Sequence, residues 1–421
     1  MAQGWRRDFR FVWAGETASL VGTQVFQLAM PLTAVLTLDA TPGQLGLIGA
    51  ATFAPYLFFG LAAGVLVDRW QRRGVLIMSS IGQAVAIGGI PVLAALDRLT
   101  FTWLFTLALL AGVGRVFFNI AYRSYLPAIV PPERLTGANS RLTASESVAE
   151  IGGPGLGGLL VQIAGAPFAL IVDAVSYVAS AFGFSAVRQR EKPVRADPTP
   201  LRAQVAEGFR FTFANPYLRA FLGEAASYNL CWQVVQTILV LFAVRELGMS
   251  PGTLGLVMSI GAIGALLGAA VTGRVAHRVG LGRTLLAAAV IGDVAPLLLP
   301  VTERGTWAAP IFAVAFFIQG FGITACNVHT MTVRQTITPD SLLGRTNAAY
   351  LFVAQGVKPV GALLGGWLGN VAGPRTTLVI GTIGLLSTSL FLILSPLRKV
   401  RTLSSIIPAD RRPEPEPLPT R

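Results

Sequence analysis

The chain has 421 residues, of which 53% are hydrophobic and only 13% are charged, and its mean hydropathy is +0.63. Soluble domains carry about 25% charged residues, so this composition excludes an ordinary soluble protein. The net charge of +13 does not indicate nucleic-acid binding, because the basic residues form no stripe with interleaved aromatic side chains. One crossing of the hydrocarbon core needs about 20 apolar residues, so the length leaves room for many crossings.

The apolar runs predict twelve membrane-spanning helices joined mostly by short loops. The first run is too long for a signal peptide and is followed by further spans, so we expect it to remain as a span. The predicted spans are residues 9–37, 43–67, 75–96, 102–126, 138–163, 167–187, 219–244, 252–273, 284–301, 307–331, 347–371 and 376–396.

The basic residues are distributed unevenly between the two sides of the predicted membrane. If the N-terminus is cytoplasmic, 27 of the 33 Lys and Arg residues lie on the cytoplasmic side. This asymmetry is the positive-inside pattern, so it predicts a multi-pass protein of the cytoplasmic (cell) membrane with both termini in the cytoplasm. Four basic residues lie on the opposite side and two lie within spans, namely Arg98, Arg245, Arg304 and Arg375, and then Arg115 and Lys358.

The two halves of the chain repeat each other at an offset of 208 residues. This offset aligns Glu16 with Glu224, and it aligns residues 114–158 with 322–366 at ten identities in 45 positions. A parallel repeat of six spans predicts two six-helix units related by an axis along the membrane normal. The predicted domains are a first bundle over residues 1–187, a cytoplasmic linker over 188–218, a second bundle over 219–397 and a disordered cytoplasmic tail over 398–421.

The linker is predicted to contain one short amphipathic helix. Thr199 and Pro200 fit an N-cap and a first-turn proline, and Leu201, Val205 and Phe209 follow at a spacing of four residues. A helix of this kind is expected to lie on the cytoplasmic surface of the membrane. The tail contains the sequence PEPEPLP, which is typical of an extended, unfolded segment.

A basic motif follows the second predicted span. Residues 64–73, GVLVDRWQRR, combine one aspartate with three arginines at the cytoplasmic end of the helix. Two interpretations remain open. Either the loop only sets the topology, or the aspartate lies by a helix N-terminus and the arginines pair across the cytoplasmic seam. The residues of this candidate gate motif are Gly64, Asp68, Arg69, Arg72 and Arg73.

The fifth predicted span contains the sequence GPGLGG at residues 153–158. Glycines four residues apart give a helix a small face that lets a neighbour approach closely, and a proline removes one backbone donor and kinks the helix. The motif is therefore either a packing face or a hinge. Its residues are Gly153, Pro154, Gly157 and Gly158.

Both motifs resemble signatures of the major facilitator superfamily. The loop pattern is similar to the family's loop 2/3 motif except at Gln71, where the family usually has glycine, and GPGLGG is similar to a helix 5 motif associated with exporters. The sequence DAVSY, which begins at Asp173, resembles the siderophore- and drug-exporter-like branch. The resemblance implies an all-α membrane protein with two pseudo-symmetric six-helix bundles, a gate-latching loop motif and an exporter-type helix 5.

Charged residues within the spans are the candidates for proton coupling. A charge at mid-span costs at least ~2.5 kcal/mol, and a proton-coupled carrier needs a carboxylate that binds a proton on one side and releases it on the other. Structural alternatives are snorkelling to the interface, ion pairing (as between the mid-span charges at 150 and 358) and helix capping. For Arg115, the resemblance implies a role in proton transfer or substrate contact. The candidates are Glu16, Glu224, Arg115, Glu150 and Asp173.

The resemblance also implies a central cavity lined by spans 1, 4, 7 and 10. Asn119 lies one helical turn after Arg115, and the repeat aligns it with Asn327. The two asparagines are therefore expected to face each other across the cavity. Aromatic residues of the spans either line such a cavity or face the lipid. The substrate-cavity candidates are Asn119, Asn327, Phe118 and Tyr122.

Together these features predict a secondary active transporter. The predicted function is proton-coupled export (antiport) of drug-like, siderophore-like or other amphipathic small molecules by alternating access. The alternatives are a facilitator or symporter that imports a small nutrient, and a structural subunit of a membrane complex. The short external loops offer no enzyme site, and we expect no cofactor, no metal and no nucleic-acid partner. The expected partners are a small-molecule substrate, protons and the lipid bilayer, and the expected state is a monomer.

Overall fold

The structure is a computed structural model that describes residues 4–188 and 201–406, without the side chains of residues 61–69, 201, 202, 340 and 404. All regular structure in these ranges is helical. The helices are α1 Gly4–Leu32, α2 Pro42–Arg69, α3 Arg72–Ala95, α4 Phe101–Ile129, α5 Pro132–Ala164, α6 Ala166–Ser185, α7 Leu201–Ala214, α8 Pro216–Leu241, α9 Pro251–Val279, α10 Leu281–Val294, α11 Ala308–Ile337, α12 Asp340–Gly356, α13 Lys358–Ala372 and α14 Pro374–Ile393.

Ten helical stretches of the described residues are long and apolar enough to cross a membrane. The chain is therefore a multi-span membrane protein. Two of the twelve predicted spans, those in α2 and α5, are not among the ten. The helix α5 has 33 residues, but it carries five charged residues and its second half carries five glycines, which lowers its apolar character.

Helices from the same half of the chain pack mainly against each other. In the first half, α1 packs against α5 and α6, and α4 packs against α2 and α3. In the second half, α8 packs against α13 and α14, and α11 packs against α9 and α10. The main contacts between the halves join α5 to α9 and α2 to α13. We call the end of the molecule where α1 begins the near end, and the opposite end, where α2 begins, the far end.

The eleventh predicted span, residues 347–371, is divided between two helices. The helix α12 ends at Gly356 and α13 begins at Lys358. Pro359 is the second residue of α13, and a proline has no N–H group to donate to the preceding turn. The division therefore makes Lys358 the first residue of a helix that starts within the span.

The helix α7 lies in the region predicted as the linker. Thr199 and Pro200, the predicted helix start, lie outside the described residues, as does the tail beyond residue 406. Glu207 forms an ion pair with Arg345 of α12, and Phe209 meets the ring of Phe352 edge-on at 6.4 Å between centroids. The helix α7 therefore packs on α12 and holds the chain between the halves against the second half.

Candidate functional site

The first helix carries a buried carboxylate. Glu16 of α1 is 8% exposed, and its Oε2 atom has no hydrogen-bond partner within the described ranges. Glu146 of α5 is close enough to interact with it electrostatically. Near Glu16, Trp13 Nε1 and Thr17 Oγ1 each donate a hydrogen bond of 3.0 Å to Ser145 Oγ. These two bonds fix α1 against α5 beside the carboxylate.

The second half has a buried carboxylate at the matching position. Glu224 of α8 is 6% exposed and interacts electrostatically with Asp293 of α10. Asp293 Oδ2 accepts a hydrogen bond of 2.9 Å from Thr388 of α14. One turn after Glu224, the Tyr228 hydroxyl accepts a hydrogen bond of 2.8 Å from Gln319 of α11. Polar residues from four helices therefore form one buried cluster.

Two further candidates, Arg115 and Asp173, lie together inside the first half. Arg115 of α4 interacts electrostatically with Asp173 of α6 and with Tyr177, and its guanidinium lies 5.0 Å from the ring centroid of Phe26. In the described part of the chain, no ion pair within 4 Å joins the two charges. A Cβ atom at Gly22 would lie 2.7 Å from Asp173 Oδ1, so this glycine lets α1 approach the buried carboxylate closely.

The two asparagines predicted to face the cavity are both exposed. Asn119 lies on α4 and donates a hydrogen bond to the Tyr56 hydroxyl of α2, while Asn327 lies on α11. Both residues lie well inside stretches that can span a membrane. The Asn119 amide is therefore bonded to α2 at a position that stays exposed.

The two aromatic candidates lie in a cluster of the first half. Phe118 is 5% exposed, and its ring stacks on that of Tyr122 at 5.8 Å between centroids. Phe184 of α6 meets Phe118 edge-on at 5.8 Å. The Tyr122 hydroxyl is buried and has no hydrogen-bond partner among the described residues. Phe118 thus supports Tyr122, whose polar atom lies in the interior.

The arginines of the basic motif bind the ends of two neighbouring helices. Arg72 Nη1 donates to the Ser124 carbonyl of α4 at 3.0 Å. Arg73 donates from Nε to the Phe184 carbonyl at 3.0 Å and from Nη2 to the Ser185 carbonyl at 2.5 Å, at the end of α6. Cations are favourable at helix C-termini. These bonds lie within the first half. The side chains of Gly64, Asp68 and Arg69 lie outside the described residues.

One face of the helix 5 motif packs against α1. A Cβ atom at Gly153 would lie 2.3 Å from Gln24 Cβ, and one at Gly157 would lie 3.2 Å from Val25 Cα. The matching glycine of the second half, Gly361, approaches α8 in the same way. Each half therefore uses these glycines to bring its fifth span against its first.

The other face of the motif packs across the boundary between the halves. A Cβ atom at Gly158 would lie 2.4 Å from the Pro251 carbonyl oxygen, and one at Gly255 would lie 2.3 Å from the Pro154 carbonyl oxygen. The Gly155 amide donates a hydrogen bond of 3.0 Å to Ser259 Oγ. The helices α5 and α9 are thus in backbone contact at the far end.

The helices α2 and α13 form a second glycine seam at the far end. A Cβ atom at Gly46 would lie 2.7 Å from the Ala362 carbonyl oxygen, and one at Gly366 would lie 2.8 Å from Gly46 Cα. The Gly43 amide donates a hydrogen bond of 3.1 Å to Asn370 Oδ1. At the near end, most residues of α5 from Pro132 to Glu146 are exposed. The halves therefore meet closely at the far end, while this part of α5 stays uncovered.

The mid-span charges at 150 and 358 do not meet in this structure. Glu150 is exposed on α5, and no ion pair within 4 Å links it to Lys358 in the described ranges. Lys358 Nζ instead lies 5.1 Å from the ring centroid of Phe53, a residue of α2 in the other half. A cation over an aromatic ring is a favourable contact, so Lys358 contributes to the boundary between the halves.

The sequence alone does not identify the polar side chains that surround Glu224 in the second half. Gln319 and Thr388 lie in α11 and α14, far from Glu224 in the sequence, and only the packing brings them together. Their polar character within apolar spans was a weak indication that they form hydrogen bonds, because intramembrane polar side chains on neighbouring helices tend to bond to one another. Asp293 lies within an apolar run of the sequence, but nothing in the sequence places it beside Glu224.

The structure is a multi-span helical protein. Its buried carboxylates, its exposed polar residues within spans and the glycine seams between its halves are typical of a membrane transporter and not of an enzyme. The transmembrane secretion effector family model matches residues 5–418. The chain belongs to this family of major facilitator superfamily transporters. The prediction of the superfamily is thereby confirmed.

Comparison with known proteins agrees with this assignment. The chain is 26% identical over 405 residues to the enterobactin exporter EntS of Salmonella paratyphi A, covering 94% of this chain and 95% of the exporter. It is 26% identical over 400 residues to EntS of Escherichia coli O127:H6, covering 93% of each. Among solved structures, a bacterial homologue of the iron transporter ferroportin in an inward-facing state has a TM-score of 0.75 at 18% identity, covering 92% of this chain and 98% of that one. The nucleoside transporter NupG has a TM-score of 0.73 at 12% identity, with the same coverage. At these identities, the likeness to the solved structures shows the fold alone.

Proposed function

We propose that the protein is a proton-coupled exporter of amphipathic small molecules, acting as a monomer in a bacterial cytoplasmic membrane. Its twelve spans are the ten apolar stretches together with α2 and α5. They form two six-helix bundles, residues 1–187 and 219–397, which are joined by the linker 188–218 and followed by a cytoplasmic tail over 398–421. The near end is the cytoplasmic end, so both termini are cytoplasmic.

The observation that carries this proposal is the matched pair of buried carboxylates. Glu16 and Glu224 occupy equivalent positions in α1 and α8, and both lie beside a second acidic residue. Burying an unpaired charge is costly, so such a carboxyl group favours proton binding when it is shielded and proton release when it meets water. A change of exposure between two conformations would thus load and unload protons.

The uneven contact between the halves supports alternating access. The far end is closed by the glycine seams of α5 with α9 and of α2 with α13, while the near end of α5 is exposed. We assign this arrangement to the inward-facing state. Export then requires the seams to separate and the near end to close, and a latch at Asp68 is proposed to hold the near end in the closed state. Replacing this aspartate should slow turnover more than it weakens binding.

The remaining candidates are proposed to serve binding and coupling. Asn119 and Asn327 would contact the substrate, together with Tyr122 supported by Phe118. Arg115 and Asp173 would form a second charged pair that responds to protonation, and Glu150 would face the open cavity. The relatives are enterobactin exporters, which supports testing siderophore-like molecules first.

Transport into inside-out vesicles with an imposed pH gradient tests the proposal. The full-length protein and empty vesicles should be compared with a panel of enterobactin, cationic drugs and small nutrients. We expect accumulation of one amphipathic class when the lumen is acidic, and its collapse when the gradient is dissipated. Movement of a nutrient out of the vesicles together with protons would instead establish import. Failure to move any solute would favour a structural role.

A further inference from the structure

A pocket lined by arginines lies at the near end, where the first turns of α1 and α5 face each other. Its volume is about 500 Å³. Four of its eight lining residues are arginines and two are aromatic; the residues are Trp5, Arg6, Phe9, Arg10, Arg134, Gly137, Ala138 and Arg141. None of the proposed transport residues lines it, so it is a separate feature of the molecule.

The arginines of this pocket have no acidic partner among the residues described. Arg6 lies over the Trp5 ring, with 5.8 Å between Cζ and the centroid, and Arg10, Arg134 and Arg141 are exposed. No ion pair within 4 Å involves any of the four in the described ranges, and no carboxylate lines the pocket there. Four uncompensated cations around one cavity create a strong attraction for an anion.

The wall of the pocket indicates what kind of anion fits. The stretch of α1 that is long and apolar enough to span a membrane begins at Trp5, so Arg6 and Arg10 lie at its end. Phe9 is 2% exposed and Trp5 is half-buried, and together they give one side of the pocket an aromatic surface. Aromatic side chains favour the headgroup level of a bilayer, and basic pockets between spans bind anionic headgroups.

We infer that this pocket binds the phosphate-bearing headgroup of an anionic phospholipid. The guanidinium groups of Arg134 and Arg141, about two turns apart on the α1-facing side of α5, would hold the phosphate oxygens with Arg6 and Arg10 from α1. Arginine forks suit phosphate geometry. Trp5 and Phe9 would contact the glycerol region. Assigning the lipid to the cytoplasmic leaflet rests on the proposed orientation, whereas the binding itself does not.

Lipid retention by the full-length protein tests this inference independently of transport. The protein is reconstituted in phosphatidylcholine vesicles with and without phosphatidylglycerol, extracted, and examined by native mass spectrometry for bound lipid. The test variant is Arg134→Gln with Arg141→Gln. The matched control is Arg274→Gln with Arg278→Gln, which removes two exposed arginines from the end of α9, outside the pocket. Thermal melting of each variant confirms that it is folded.

We expect the wild type and the control to retain phosphatidylglycerol in preference to phosphatidylcholine, and the test variant to lose this preference by roughly tenfold or more. A variant with Arg134→Lys and Arg141→Lys should retain part of it, because the charge remains. Equal loss in test variant and control would overturn the inference, since diffuse surface charge would then explain binding. Displacement of the lipid by inorganic phosphate at low concentration would also overturn it, in favour of a site for soluble anions.

Discussion

Arg245 and Asp39 form an ion pair that joins the two halves at the far end, with 2.5 Å between Nη2 and Oδ1. Arg245 belongs to a π-helical turn, Phe242–Glu246, that follows α8, and it also donates to the Val35 carbonyl at 3.2 Å. Val35 lies in a second π-helical turn, Thr33–Thr37, that follows α1. π-Helical turns frequently occur at functional sites. One arginine therefore links two irregular turns at matching places in the repeat.

Replacing Asp39 by asparagine should favour opening of the far end. Its side chain is 94% exposed, and exposed ion pairs contribute about 1 kcal/mol or less. The expected effect is therefore an increase of at most about fivefold in the population with an open far end. Distances between spin labels placed on the two halves measure these populations. Asp97→Asn is the matched control, because Asp97 is exposed and has a similar backbone angle, φ 53° against 50°. Identical distance distributions in the two variants would show that the ion pair between Arg245 and Asp39 does not help to keep the far end closed.

A single methyl group at Gly158 should prevent closure of the far end. The Cβ atom of Gly158→Ala would lie 2.4 Å from the Pro251 carbonyl oxygen, so α5 and α9 must separate. Overpacking of this kind costs about 1–3 kcal/mol. We expect transport to fall by tenfold or more and thiols introduced at the far end to become more accessible. Gly152→Ala is the control in the same helix, because a Cβ atom there meets nothing within 4 Å. Equal transport by both variants would contradict the role of the seam.

Replacing Arg73 by glutamine should lower stability rather than substrate affinity. Arg73 donates to two carbonyl oxygens at the end of α6, and hydrogen bonds from charged groups contribute about 1.5–3 kcal/mol each. The expected result is a clear drop in the melting temperature of the purified protein with an unchanged Kd for substrate. Arg278→Gln, at an exposed position of α9, serves as the comparison. A variant with wild-type melting and weakened binding would show that our assignment of Arg73 is wrong.

The sequence predicts features that repeat along the chain more readily than contacts between distant helices. Runs of apolar residues, their repeat and the motifs at 64–73 and 153–158 predicted a helical membrane protein of the correct superfamily. Glycine spacing also predicted a small face on α5, but it did not show that Gly157 faces Val25 of α1 while Gly158 faces Pro251 of α9. That distinction depends on where two other helices lie, which local sequence does not encode.

The polar residues around Glu16 and Glu224 also could not be predicted from the sequence, because they come from distant helices. The alignment of Glu16 with Glu224 suggests equivalent environments, but the second half surrounds its carboxylate with Asp293 and its Thr388 partner, from α10 and α14. The mid-span pair at 150 and 358 also aligned across the repeat, although the two side chains do not meet. Equivalent positions in a repeat thus need not become contacts, because each half packs its own side chains.

Simultaneous recording of luminal pH and substrate uptake in inside-out vesicles tests the central claim most directly. The comparison is between the wild type, Glu16→Gln, Glu224→Gln, the double variant and the exposed control Glu133→Gln. We predict that substrate entering vesicles with wild-type protein or the control removes protons from the lumen, and that both single variants and the double variant lose this proton movement while remaining folded. Unchanged coupling in both single variants and in the double variant would contradict the assignment of Glu16 and Glu224 as the proton carriers.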